Sequence, residues 1–136
     1  MRRGFRREIA ALEEIFQFLE DFFDEVEIDG NVAFTMSLVA EELFTNMVRH
    51  NAGGGAKIDL DIERDSDCLR LELVDSGVER FDPDEVPRPA VAAGIDQRRP
   101  GGLGLHLVRM MVDDVSFDYQ PDSRQMRVSV TKRLET

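Results

Sequence analysis

The sequence predicts an α+β domain in which helices cover one face of an antiparallel sheet. Three segments carry apolar residues every three or four positions, which is the spacing of amphipathic helices: 7–26, 32–50 and 103–112. Four segments alternate polar and apolar residues, as half-buried strands with one solvent-facing side do: 57–63, 68–75, 115–119 and 125–132. Helices packed on one side of such a sheet make a two-layer sandwich.

The two N-terminal helices have clear apolar faces. In the first helix, from Arg7 to about Val26, the predicted buried residues are Ile9, Leu12, Phe16, Leu19, Phe23 and Val26. The segment 29–31 interrupts the pattern and offers an N-cap to the second helix. The predicted buried face of that helix consists of Met36, Val39, Ala40, Leu43, Phe44 and Met47.

A long segment without periodicity separates the two predicted strand pairs. It runs over about 76–102 and holds four of the five prolines in the chain. A loop of this length inside a compact domain is usually functional or disordered. Since 136 residues fit one domain, we expect a single unit over 1–136.

Charge and composition narrow the classes of function. The net charge of −11 disfavours binding to nucleic acid or to anionic lipid, because such a chain repels both. The basic N-terminus is followed by a glutamate-rich amphipathic segment rather than the apolar core of a signal peptide, so we expect a cytoplasmic protein. No run approaches the roughly 20 apolar residues of a membrane span. The single cysteine, Cys68, excludes an internal disulfide.

The second helix carries a possible catalytic pair. Glu42 and Asn46 are four residues apart and therefore project from the same helix face. A carboxylate there can accept a proton from an attacking hydroxyl or water, and an amide oxygen one turn later can ligate magnesium. A solvated helix face would explain the same two residues.

Two further motifs follow along the chain. Asp75 and Gly77 stand where an alternating segment ends, and a strand-end carboxylate can accept a hydrogen bond from an amine such as that of adenine. The segment 98–105 places glycines at the mouth of a helix, where backbone amides can approach phosphate oxygens. Each motif has a structural explanation as well, namely an Asp-x-Gly turn and a flexible helix start.

Taken together and in this order, the three motifs resemble the N box, the Asp-x-Gly box and the Gly-x-Gly box of the GHKL ATPase superfamily. Within it, segments 39–51, 75–83 and 101–113 are most similar to the anti-sigma regulatory factors, the stand-alone serine/threonine protein kinases of bacterial partner switching. The resemblance covers the chain from the first helix to the last strand, while the extreme N-terminus is short of the family's usual leading strand. The chain departs from many members at Glu79, where they have another glycine.

The resemblance implies a fold and a set of roles. The fold is the histidine-kinase-like ATPase (Bergerat) fold, a two-layer α/β sandwich with an antiparallel (mixed) sheet covered by three helices on one face. Glu42 would be the catalytic base, Asn46 would ligate Mg²⁺ beside ATP, and the segment at about 76–102 would be the ATP lid. The implied nucleotide-binding residues are Asn46, Arg49, Asp75, Gly77, Arg99, Gly101, Gly102, Leu103, Gly104 and Leu105.

Three functions are compatible with this resemblance. The first is a kinase that phosphorylates a STAS-type anti-sigma-factor antagonist, sequesters a sigma factor and forms a homodimer. The second is a nucleotide-dependent binding module without significant kinase activity, and the third is a detached catalytic domain of the histidine-kinase type. The presence of Glu42 favours the first over the second, because binding alone does not need a base.

Overall fold

The computed structural model describes residues 1–50, 55–77 and 102–134 of the chain. Its elements are β1 (Arg2–Arg6), a short 3-10 helix (Ile9–Ala11), α1 (Leu12–Val26), α2 (Gly30–His50), β2 (Lys57–Asp65), β3 (Cys68–Ser76), α3 (Gly102–Met111), β4 (Asp114–Gln120) and β5 (Gln125–Arg133). The strands form one sheet in the order β1-β2-β3-β5-β4. Every neighbouring pair of these strands is antiparallel, so the sheet is not mixed over the described residues. The predicted α+β class with three helices and one sheet is confirmed.

The leading strand β1 corrects the prediction that the N-terminus lacks one. Residues Arg2–Arg6 pair with β2 along their whole length, with Phe5 opposite Ile58. Phe5 is buried and meets Phe18 of α1 edge-on, with ring centroids 5.6 Å apart. The segment has one large apolar side chain among arginines, so its sequence has no periodicity that predicts a strand. Backbone pairing with the edge of β2 and the burial of Phe5 hold it in place.

Helix α1 begins later than predicted, and only part of its predicted face is buried. Leu19 and Phe23 lie in the core, and Leu12 and Val26 pack against it. The chain turns through a 3-10 helix before Leu12, so Arg7 is not helical. Ile9 and Phe16 are exposed, with 45% and 37% of their surface accessible. The buried residues are Ile15, Phe18, Leu19, Phe22 and Phe23. Both stripes have helical spacing and share Leu19 and Phe23, but the observed one brings Phe18 and Phe22 into the core in place of Phe16.

Helix α2 agrees with the prediction. All six residues of the predicted face are buried against the sheet and the other helices. Its start is also as expected, because the Asn31 backbone N–H donates to Asp29 Oδ1 at 2.7 Å, which caps the helix. None of the described helices has a stretch long and apolar enough to cross a membrane.

The register of the sheet places one charged residue among apolar neighbours. A row of opposed residues crosses all five strands: Phe5, Ile58, Asp75, Met126 and Tyr119. Phe5, Ile58 and Met126 belong to the core under the helices. Asp75 lies in the same row, so its carboxylate is on the helix-covered side of the sheet. A charge in that position needs a partner.

Candidate functional site

One face of α2 presents the predicted catalytic and metal-binding residues. Glu42, Asn46 and Arg49 follow each other at spacings of four and three, so they share one face of the helix. Glu42 and Asn46 are half-buried, whereas Arg49 is exposed in the last turn. The side chains of Glu42 and Asn46 make no hydrogen bond or ion pair with the described residues. Their oxygen atoms are therefore available to a ligand.

Thr45, directly before Asn46, also has a side-chain oxygen without a partner among the described residues. Thr45 has a buried hydroxyl oxygen that makes no hydrogen bond within the described part of the chain. A buried hydroxyl without a partner is costly and uncommon. The amide oxygen of Asn46, the next residue, is half-buried and is a hard donor of the kind that Mg²⁺ accepts together with phosphate oxygens.

The predicted adenine-binding carboxylate is completely buried. Asp75 near the end of β3 has 0% of its surface exposed. It forms a two-pronged ion pair with Arg7, in which Nη1 donates to Oδ2 at 3.1 Å and Nη2 donates to Oδ1. Only 8% of the Arg7 side chain is exposed. The pair is therefore shielded from water on both sides.

Arg7 makes two more hydrogen bonds, both with backbone carbonyl groups. Its Nε donates to the Gly55 oxygen at 2.7 Å, and Nη1 donates to the Met47 oxygen at 3.2 Å. Met47 lies in the last turn of α2. The last carbonyl groups of a helix have no N–H donor within the helix, and a cation near them is favourable. Burial lowers the pKa of the Arg7 guanidinium below its usual value, but arginine stays charged in proteins.

The guanidinium group connects two of the predicted motifs. A single nitrogen, Nη1, lies within hydrogen-bond distance of both the Met47 carbonyl and the Asp75 carboxylate. Met47 directly follows Asn46 on α2. The carboxylate at the end of β3 is thus held beside the turn of α2 that carries Asn46. Sequence spacing alone could not establish this proximity.

Gly77 has a backbone conformation that suits glycine. Its φ of 69° lies in the left-handed region, which side chains with a Cβ avoid. Replacing Gly77 with alanine is expected to lower the free energy of unfolding by about 1–2 kcal/mol. Urea denaturation of the variant measures this difference.

The matched control is Gly30→Ala at the start of α2. A Cβ there would meet no atom within 4 Å, and alanine is the better helix former. We expect that variant to be as stable as the original chain or slightly more so. Equal effects of the two substitutions would show that the conformation of Gly77 is not the cause.

The glycine motif is described only in part. Gly102 begins α3, and Gly102, Leu103 and Gly104 lie in its first turn. Leu105 and Val108 are buried in the core, and α3 packs against α2. The role of these glycines in phosphate binding stays a prediction. Arg99 and Gly101, as well as Glu79 and most of the expected lid, lie outside the described residues.

Arg7 is the residue at this site that the sequence reasoning missed. The helical spacing places it at the start of the first helix, as one arginine in a basic N-terminus. The sequence contains one signal. Asp75 follows the alternating leucines of its strand at a spacing of two, so its side chain is expected on the apolar face of the sheet. Such a carboxylate requires a cation, but nothing in the sequence indicates which of many arginines supplies it.

Comparison with known proteins identifies the family. A family model described as a histidine kinase-like ATPase domain matches residues 5–132. The serine/threonine-protein kinase BtrW of Bordetella bronchiseptica is 33% identical over 90 residues, which cover 65% of this chain and 63% of BtrW. The match therefore spans less than two thirds of that relative's length.

Among solved structures, the SiaB-SiaC complex from Pseudomonas aeruginosa contains a chain with a similar fold. The TM-score is 0.62 at 22% sequence identity, and the match covers 97% of this chain and 88% of that chain. At this identity the similarity concerns the fold. It agrees with the matched family model and with the resemblance seen in the three motifs. The chain therefore belongs to the histidine kinase-like ATPase domain family.

Proposed function

We propose that the chain binds ATP with Mg²⁺ and transfers the γ-phosphate to a serine or threonine of a partner protein. The observation that carries the proposal is the Arg7 bridge, which joins Asp75 to the turn of α2 after Asn46. A carboxylate suited to an adenine amino group and an amide suited to a phosphate-bound Mg²⁺ are thereby neighbours. The kinase relative BtrW supports the reaction type.

Glu42 has the position that a catalytic base needs. It lies one turn before Asn46 on the same face of α2, with no competing hydrogen bond to the described residues. In the proposed reaction, its carboxylate accepts the proton of the partner's hydroxyl group. The hydroxyl oxygen forms a bond to the γ-phosphorus while the bond to the bridging oxygen of ADP breaks. Mg²⁺ would neutralise charge on the phosphate oxygens.

The remaining predicted residues would complete the nucleotide site. Gly77 would allow the backbone to pass close to the adenine ring, and the amides at the start of α3 would face the phosphates. Arg49 and Arg99 would supply positive charge near the terminal phosphate.

The partners of the chain are also part of the proposal. By its resemblance to anti-sigma regulatory factors, the chain would phosphorylate an anti-sigma-factor antagonist of the STAS type, sequester a sigma factor and act as a homodimer. The strongly negative net charge favours a protein partner with a basic face.

A phosphate-transfer assay tests the reaction. The purified chain is incubated with γ-labelled ATP, Mg²⁺ and an antagonist-like protein encoded near its gene, with a chelator-treated sample as the control. We expect label on a single serine or threonine of that protein. Nucleotide binding without transfer would instead indicate a regulatory binding module, and transfer to a histidine would indicate a detached histidine-kinase domain. Absence of nucleotide binding would contradict the proposal as a whole.

A further inference from the structure

We propose that Arg7 is a positioning residue for the nucleotide base: it holds the Asp75 carboxylate so that the site selects adenine over a 6-oxopurine. This inference rests on the proposed nucleotide site and adds a residue to it. Arg7 lies outside the three sequence motifs, between β1 and the 3-10 helix.

The guanidinium group fixes both the place and the rotation of the carboxylate. Its two terminal nitrogens each donate to one oxygen of Asp75, which is a fork-to-fork arrangement with strong directional preference. Arg7 is itself held by two carbonyl groups, those of Met47 and Gly55. Its own backbone N–H donates to the Ala56 oxygen at 3.0 Å. The side chain and backbone of Arg7 are therefore anchored independently of Asp75.

Arg7 is expected to stay in place when a nucleotide binds. Removing the guanidinium would leave a buried carboxylate and two backbone carbonyl groups without their donor, which is strongly unfavourable. An ionised carboxylate offers roughly four lone-pair sites. Arg7 donates two hydrogen bonds to it, and a carboxylate held in this way can accept from a further donor. Because Asp75 has no exposed surface, adenine reaches it only when a neighbouring group other than Arg7 moves aside.

A fixed carboxylate discriminates between purines by the group at position 6. The amino group of adenine donates a hydrogen bond to it, whereas the oxygen of hypoxanthine would face a negative charge. A site built around one such hydrogen bond rejects analogues that lack it more strongly than an adaptable site does. If the fork is lost, the carboxylate can rotate, and this selectivity falls.

The test compares ADP with inosine diphosphate, which carries the oxygen instead of the amino group. Affinities for both are measured by calorimetry in the presence of Mg²⁺ for the unchanged chain, Arg7→Lys and Arg6→Lys. Lysine keeps the positive charge but loses the fork. We expect the unchanged chain to prefer ADP by at least about tenfold and Arg7→Lys to lose most of that preference, chiefly through weaker ADP binding.

Arg6→Lys is the matched control, because Arg6 is exposed and pairs with Glu8 at the surface. It should keep the full preference for ADP. If Arg7 has a purely structural role, Arg7→Lys should bind both nucleotides more weakly and by the same factor. If Arg7 blocks the site, Arg7→Lys should bind ADP more tightly. Either result would overturn the inference while leaving the nucleotide site intact. If the unchanged chain does not bind ADP, the proposed function and this inference both fail.

A second measurement needs no variant. In the unchanged chain with ¹⁵N-labelled arginine, the Nε–H of Arg7 should exchange slowly with water, because it is buried and donates to Gly55. We expect this protection to persist when the protein is saturated with ADP. Loss of protection on ADP binding would show that the nucleotide displaces Arg7 and would overturn the inference.

Discussion

Replacing Arg7 with methionine is expected to lower the free energy of unfolding by about 3–5 kcal/mol, because it removes the cation that pairs with a buried carboxylate. Asp75 is fully buried, and Arg7 nearly so, hence solvent does not screen their interaction. For a domain of this size the loss corresponds to a decrease of roughly 10–20 °C in the midpoint of thermal unfolding. Urea denaturation and calorimetry measure the two quantities.

Two further variants separate the buried pair from a general effect of losing an arginine. Arg70→Met removes a cation from a half-exposed pair with Glu63 on the surface, and we expect it to cost at most about 1 kcal/mol. Combining Arg7→Met with Asp75→Leu removes both charges and should recover much of the lost stability. If the double variant is no more stable than Arg7→Met alone, the unpaired carboxylate is not the main cost.

Replacing Glu42 with glutamine is expected to reduce phosphate transfer to the partner protein by about 10²–10⁴-fold. The substitution keeps the shape of the side chain and removes its ability to accept a proton. Binding of ADP should stay close to that of the unchanged chain, because the proposed contacts to the base and to Mg²⁺ come from Asp75 and Asn46. Transfer rates under single-turnover conditions and ADP affinity test the two parts.

The neighbouring Glu41→Gln is the control for this variant. It makes the same chemical change on the same helix, but a step of one residue turns the side chain to another face. We expect normal transfer from it. Transfer at an undiminished rate by Glu42→Gln would mean that Glu42 is not the base, even if the chain is a kinase.

The fold was predictable where the information is local. The six buried residues of α2 and the two alternating strands β2 and β3 follow from periodicity, which depends only on neighbouring residues. The choice between two stripes on α1 was not predictable in this way. Phe16 and Phe18 each belong to an apolar stripe with helical spacing. Packing against Phe5 and the sheet buries Phe18, whereas Phe16 stays exposed.

By itself, the sequence determined the three motifs and hence the family, because each motif is a short pattern within a single element. Only the tertiary structure decided what surrounds Asp75. Its partner Arg7 is 68 residues away and reaches it because β1 pairs with β2, which in turn pairs with β3. Such an approach depends on strand order and register, and therefore no local pattern contains it. The physical reason for the ion pair between Arg7 and Asp75 is that a carboxylate in an apolar row cannot stay buried without a cation.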